Sequence, residues 1–164
     1  PFRSGCAMAD RAIGDRPTAT RPTRTQNTKP SAHIYQKFGD AKMPHTLTCH
    51  CGAVELQVKL SDGLNTARRC DCSFCSRRGA IAASAPLDGV KIVKGAESLT
   101  QYQWGTNTAK HYFCSICGIY THHQRRSNPN EYGVNVAALQ GVNPRDLGEV
   151  PWADGRNHPS DKGK

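Results

Sequence analysis

Nowhere in this 164-residue chain does an apolar run approach the roughly 20 residues that span a bilayer, which argues against a membrane-crossing helix. The first residues also lack the hydrophobic core of a secretory signal. No segment repeats at a solenoid period. Basic side chains do not interleave regularly with the aromatics, which speaks against a base-stacking surface for nucleic acid. Acids are scarce, with 13 Asp and Glu against 22 Lys and Arg, for a formal charge of +9. That excess is uneven. Residues 1–43 hold eight basic and three acidic side chains, or +5, so the rest of the chain is only mildly basic. Whole-chain charge is therefore a poor argument for a nucleic-acid partner. Residues 1–43, rich in Arg, Thr and Pro and without sustained periodicity, read as a disordered basic extension. They are acid-poor in the manner of a transit peptide but form no clear amphipathic helix. Met43 offers an alternative start, with the preceding residues coming from an over-extended reading frame. Cys6, in that extension, reads as an incidental thiol.

What the chain does have is cysteine, in a pattern. Seven of its eight cysteines fall into three clusters: Cys49-His50-Cys51, Cys70-Asp71-Cys72-Ser73-Phe74-Cys75 and Cys114-Ser115-Ile116-Cys117. C-x-C and C-x-x-C spacings put thiolate sulfurs where one tetrahedral cation can collect them. An odd number cannot be used up by disulfides. Read as ligands, the seven divide into a set of four, which closes a zinc shell, and a set of three, which leaves a position for water or substrate. Cys49, Cys51, Cys114 and Cys117 are assigned to the closed site, because joining the distant pairs closes a long loop and structural zinc contributes roughly 10–16 kcal/mol in small domains. Cys70, Cys72 and Cys75 are close enough in sequence to bind a second zinc by themselves. Their fourth position falls to water or to His50, His122 or His123. Two bland alternatives stay open: disulfides among some clusters, or two purely structural metals. Clustered thiols otherwise point to a reducing, cytoplasmic setting.

Glycine (15), proline (10) and short apolar runs point to strands and turns. Val54, Leu56, Val58 and Leu60 alternate with polar residues as a half-buried strand does. Further strands are expected over 80–85, 90–93, 99–104, 110–113, 119–123 and 132–136, with a helical turn over 72–78 ended by Gly79 and an irregular segment after Gln140. The expected architecture is one small, mostly antiparallel β domain tied together by metal. His122 and His123, adjacent on a strand, point to opposite faces, so at most one easily serves a given site. Arg68, Arg69, Arg77 and Arg78 bracket the three-cysteine cluster. They suit the carboxylates of an anionic substrate and, equally, the negative charge of three thiolates on a divalent ion. Tyr102, Trp104, Tyr112, Phe113, Tyr120 and Tyr132 read as core.

These residues resemble the glutathione-dependent formaldehyde-activating enzyme family, which also contains centromere protein V. The carrying segments are CHCGAVELQVKL (49–60), CDCSFCSRRGAIAAS (70–84), HYFCSICGIYTHHQRRSNP (111–129) and YGVNV (132–136). The resemblance implies a β-tent fold of twisted antiparallel sheets over residues 44–157, followed by a flexible tail, 158–164. It implies a structural zinc on Cys49, Cys51, Cys114 and Cys117 and a catalytic zinc on Cys70, Cys72 and Cys75. It also implies carbon–sulfur lyase chemistry, the reversible joining of formaldehyde and glutathione into S-hydroxymethylglutathione. The expected partner is thus a small thiol or aldehyde, with His50, His111 and Asp71 as candidate proton carriers. The competing expectation is a non-catalytic zinc module that binds protein or nucleic acid.

Overall fold

The computed structural model of the chain describes residues 43–159. The expected disordered extension, Cys6 and most of the expected flexible tail therefore lie outside the described residues. Among the described residues strands dominate, in three sheets, with one short α-helix. The first sheet joins β1 (His45–Thr48), β2 (Glu55–Val58) and β5 (Val90–Lys94) in the order β1-β2-β5. The second holds five strands: β4 (Ala82–Pro86), β6 (Leu99–Tyr102), β7 (Lys110–Cys114), β8 (Tyr120–Gln124) and β9 (Glu131–Asn135), in the order β4-β9-β8-β7-β6. Both are antiparallel throughout. The third is a parallel pair of β3 (Arg69–Cys70) and β10 (Trp152–Ala153). The mainly β architecture expected from the sequence is what the chain forms. The parallel pair departs from the expectation, because the segment after Gln140 carries a strand that returns to the cysteines.

The alternation read from the sequence is the burial pattern observed. Leu56 and Val58 of β2 are fully buried, while Glu55 and Gln57 between them are half-buried. Leu47 on β1 joins them in one core with Ala83 and Val134 of the five-stranded sheet and Val136 just beyond β9. Each fully buried aliphatic side chain contributes roughly 1.5–3 kcal/mol of transfer free energy. Such a core is modest, so cross-links between the sheets matter. The turn at Lys94-Gly95 does form, with Gly95 at φ +75, but it hands the chain from one sheet to the other instead of closing a hairpin.

Three connections carry the cysteines. Cys49 and Cys51 sit in the β1–β2 turn, and Cys114 and Cys117 at the β7–β8 turn. Cys70 ends β3, and α1 (Cys75–Arg78) begins at Cys75. As the sequence predicts, that helical turn stops at Gly79, which adopts φ +63 and returns its N–H to the Cys75 carbonyl at 3.0 Å.

Candidate metal centres and the cleft over one of them

Each half of the four-cysteine cluster is a tight knuckle. Gly52 and Gly118, both at φ +72, follow the two cysteine pairs and donate N–H to the carbonyls of Cys49 (3.1 Å) and Cys114 (2.8 Å). The two knuckles meet. The sulfurs of Cys49, Cys51, Cys114 and Cys117 all lie within 4.8 Å of one another. Cys51 Sγ is 3.6 Å from Cys49 Sγ and 3.7 Å from Cys114 Sγ. A tetrahedral ion with bonds of about 2.3 Å to sulfur needs sulfur pairs about 3.8 Å apart, so the donor set fits such an ion. Backbone N–H groups stabilise negative sulfur here: Val54 N–H donates to Cys49 Sγ at 3.2 Å. Those of Cys51 and Ile119 hold the Cys117 thiol down at about 6.

Cys70, Cys72 and Cys75 form the second cluster, again with sulfurs within 4.8 Å of one another. Cys72 is the focus. Hydrogen bonds from the Cys70 and Cys75 thiols, with the Cys75 N–H at 3.3 Å, push its thiol far below the usual thiol range. The Cys75 thiol is pushed up in turn by its contacts with Cys70 and Cys72. One thiolate is favoured and its neighbours resist further loss of protons, as expected of three sulfurs gathered for one cation. Among the described residues no histidine or carboxylate joins this group. All seven clustered cysteines are free.

A cleft of about 270 Å³ opens over this second cluster, lined by all three of its cysteines. His111 and His123 line it from the five-stranded sheet, where Tyr102, His111, His123, Gly133 and Ser84 are successive cross-strand neighbours. The His111 and His123 rings stack with centroids 5.1 Å apart. Phe74, carried between Cys72 and Cys75, packs on His111 at 4.6 Å and on Tyr102 at 5.0 Å. His123 Nδ1 is hydrogen-bonded to the Tyr120 hydroxyl, which lies 3.3 Å from the Gly133 carbonyl. Burial keeps both histidines neutral, holding His111 at about 4 and His123 well below its ordinary value; nearby cations add to the effect. His122 faces the other way, stacked on Tyr112 at 4.5 Å. His50 is exposed on its turn.

Charge in the cleft is one-sided. Arg68, Arg69, Arg78, Arg125 and Arg126 line it, with Asp154 as the one carboxylate among the described residues. Arg78 lies 3.5 Å over the Tyr120 ring and 4.4 Å from that of Phe74, and its Nη2 donates to His111 Nδ1 at 3.4 Å. Its Nε and Nη1 are buried without a hydrogen-bond partner among the described residues, which suits a guanidinium held between ring faces as a fixed positive charge. Arg125, 7% exposed, is paired with Glu131 at 3.1 Å and donates to Ser84 Oγ at 3.2 Å. Arg77 turns away, donating to the Ser73 carbonyl on the exposed side of α1.

A model of the glutathione-dependent formaldehyde-activating enzyme family matches residues 44–150. The chain belongs to that family. A crystal structure of a Rhodobacter sphaeroides protein is 72% identical to it, covering 66% of this chain and 99% of that one with a TM-score of 0.65. Within the family framework, the structure gathers the cysteines as the spacing grouped them and brings Arg68, Arg69, Arg78 and His111 to the cleft. Sequence reasoning missed Arg125, Tyr120 and the segment 153–155, which also line it. Arg125 had a signal: it stands two residues beyond His123 and so shares its strand face. The later segment had none, since the tertiary β3–β10 pairing brings it to the cysteines.

Proposed function

We propose that the chain is a zinc-dependent carbon–sulfur lyase that reversibly joins formaldehyde and glutathione into S-hydroxymethylglutathione, as its family's description suggests. The observation that carries this reading is the cleft over the three-cysteine group, which all three of its cysteines line. On this reading Cys49, Cys51, Cys114 and Cys117 hold a structural zinc, and Cys70, Cys72 and Cys75 hold a catalytic one. Zinc bound there would supply a positive charge that favours the ionised form of a substrate thiol at neutral pH. The arginine-lined wall suits the carboxylates of glutathione. Free thiols in such number favour a reducing, cytoplasmic compartment.

The chain's own residues then handle the proton. Asp71 is occupied by backbone N–H groups of the C-terminal segment, and His111 by Arg78, which leaves His123 as the better carrier. With the Tyr120 hydroxyl donating to the Gly133 carbonyl, His123 Nδ1–H donates to Tyr120, and Nε2 is the basic nitrogen. Nε2 accepts the proton of the substrate thiol. The sulfur lone pair forms the S–C bond, the carbonyl π pair moves to oxygen, and Nε2–H returns the proton to that oxygen. A buried imidazole that holds a proton poorly gives it up readily, so the cycle closes without net change in the protein. Proximity supplies most of the remaining rate, because thiolate addition to formaldehyde is intrinsically easy.

The test is metal content by mass spectrometry with glutathione binding and turnover, wild type against Cys72→Ser. Two zinc ions falling to one, with binding and turnover lost and the fold kept, supports the enzyme. A salt-dependent partner interaction indifferent to Cys72→Ser, in a chain without turnover, would instead establish a non-catalytic zinc module.

A further inference from the structure

The family match ends at residue 150, yet the chain beyond it passes directly over the three-cysteine cluster. Arg69 N–H donates to the Pro151 carbonyl at 2.8 Å, and Asp71 N–H to that of Ala153 at 3.4 Å. The Asp71 carboxylate then turns back: its Oδ1 accepts the N–H groups of Gly155 at 2.7 Å and Arg156 at 3.3 Å. Arg156 Nε reaches the Asp71 carbonyl at 3.4 Å. Gly155 is buried, and a Cβ there would lie 2.5 Å from Cys70 Sγ and 2.7 Å from Cys72 Cβ. The backbone of this strap therefore rests on Cys70 and Cys72 with no room for even a methyl group.

We infer that residues 151–156 are a latch on the second metal centre: Asp71, the residue between two of the ligands, and Gly155, the residue pressed against them, position the cysteines and govern how tightly this centre keeps its ion. The physical reason is local. Cys70 and Cys72 flank the end of a two-residue strand, whose one regular strand partner is β10. Without the strap, the C-x-C segment has little to hold its sulfurs converged, and their mutual repulsion as thiolates would spread them. Groups that orient metal ligands without touching the metal alter affinity by about 10–100-fold. The four-cysteine centre has its own knuckles and makes no such demand. The inference rests on the reading that the three-cysteine cluster holds a metal ion.

The experiment uses the full chain loaded with zinc and reads zinc per chain and the rate of loss to a chelator. Gly155→Ala and Asp71→Ala are each expected to lose one ion at least about tenfold faster than wild type, while the other ion and the thermal unfolding temperature stay as they were. Asp71→Asn, which keeps an acceptor oxygen for the two N–H groups, should restore most of the retention. Arg156→Ala leaves the backbone N–H bonds in place and should behave as wild type. Wild-type retention in both Gly155→Ala and Asp71→Ala overturns the latch. A general fall in stability with loss of both ions, in either variant, also overturns it, since that describes a structural residue only. A wild-type chain that binds a single zinc, insensitive to Cys72→Ser, would instead remove the metal reading on which the latch depends.

Discussion

His123 can lie flat across its sheet because position 133, its cross-strand neighbour, carries no side chain. A Cβ at Gly133 would run into the His123 ring, reaching Cε1 and coming within 2.9 Å of Nδ1. The neighbour cannot give by a few tenths of an ångström, since the ring is also stacked on His111 and bonded to Tyr120. Gly133→Ala should therefore tilt the ring off both partners. If His123 carries the proton, turnover drops by roughly 100-fold, the usual worth of a positioned acid–base group. Zinc content and glutathione binding should not change, because the cysteines and arginines are untouched. Steady-state kinetics beside metal analysis decides it, and unaltered turnover would remove His123 from the mechanism.

Strands explain both what the sequence revealed and what it hid. Period-two alternation in β2 and the adjacency of His122 and His123 on β8 were legible because a strand sends successive side chains to opposite faces, and the structure puts His122 on Tyr112 and His123 on His111. The cysteine grouping was legible because ligand spacing is local. Which strands become neighbours was not. The row from Tyr102 to Ser84 that sets His111 beside His123 draws on five strands, and β10 meets β3 from more than 80 residues away along the chain. The same element carries a pH prediction. His122 is 3% exposed, and burial lowers it from 6.5 to about 4. As pH falls below 6.5 the unfolded chain binds this proton first, so stability declines toward pH 4 and the penalty vanishes above neutrality. Between pH 7 and 5.5 the loss from this one group is about 1 kcal/mol. His122→Phe keeps a ring against Tyr112 and removes the titration, so its unfolding free energy should fall less than wild type over that interval. Parallel pH profiles for the two proteins, from urea unfolding, would contradict this.

At the scale of the whole molecule the two clusters have different mechanical positions. The four-cysteine group joins a turn of the three-stranded sheet to a turn of the five-stranded one, drawing Cys51 to Cys114 across 63 residues of chain. It lies at the edge of the shared core, with Cys49 3% exposed and Cys114 fully buried. The three-cysteine group instead sits on one side of the molecule, beneath the cleft and the C-terminal strap. Removing a ligand from the first group should therefore uncouple the sheets, whereas removing one from the second should empty a site and leave both sheets packed. A core dominated by short aliphatics offers little reserve against losing a cross-link that, with a structural zinc bound, would contribute roughly 10 kcal/mol or more. Cys117→Ser is thus expected to abolish cooperative thermal unfolding and expose apolar surface to a dye such as ANS. Cys72→Ser should retain a cooperative transition within a few degrees of wild type. The contrast isolates position from chemistry, because both substitutions exchange the same sulfur for oxygen. Equal destabilisation by the two would mean that the second centre, too, holds the fold together, and an ion carrying that burden is a poor candidate for one that exchanges a ligand with substrate at every turnover.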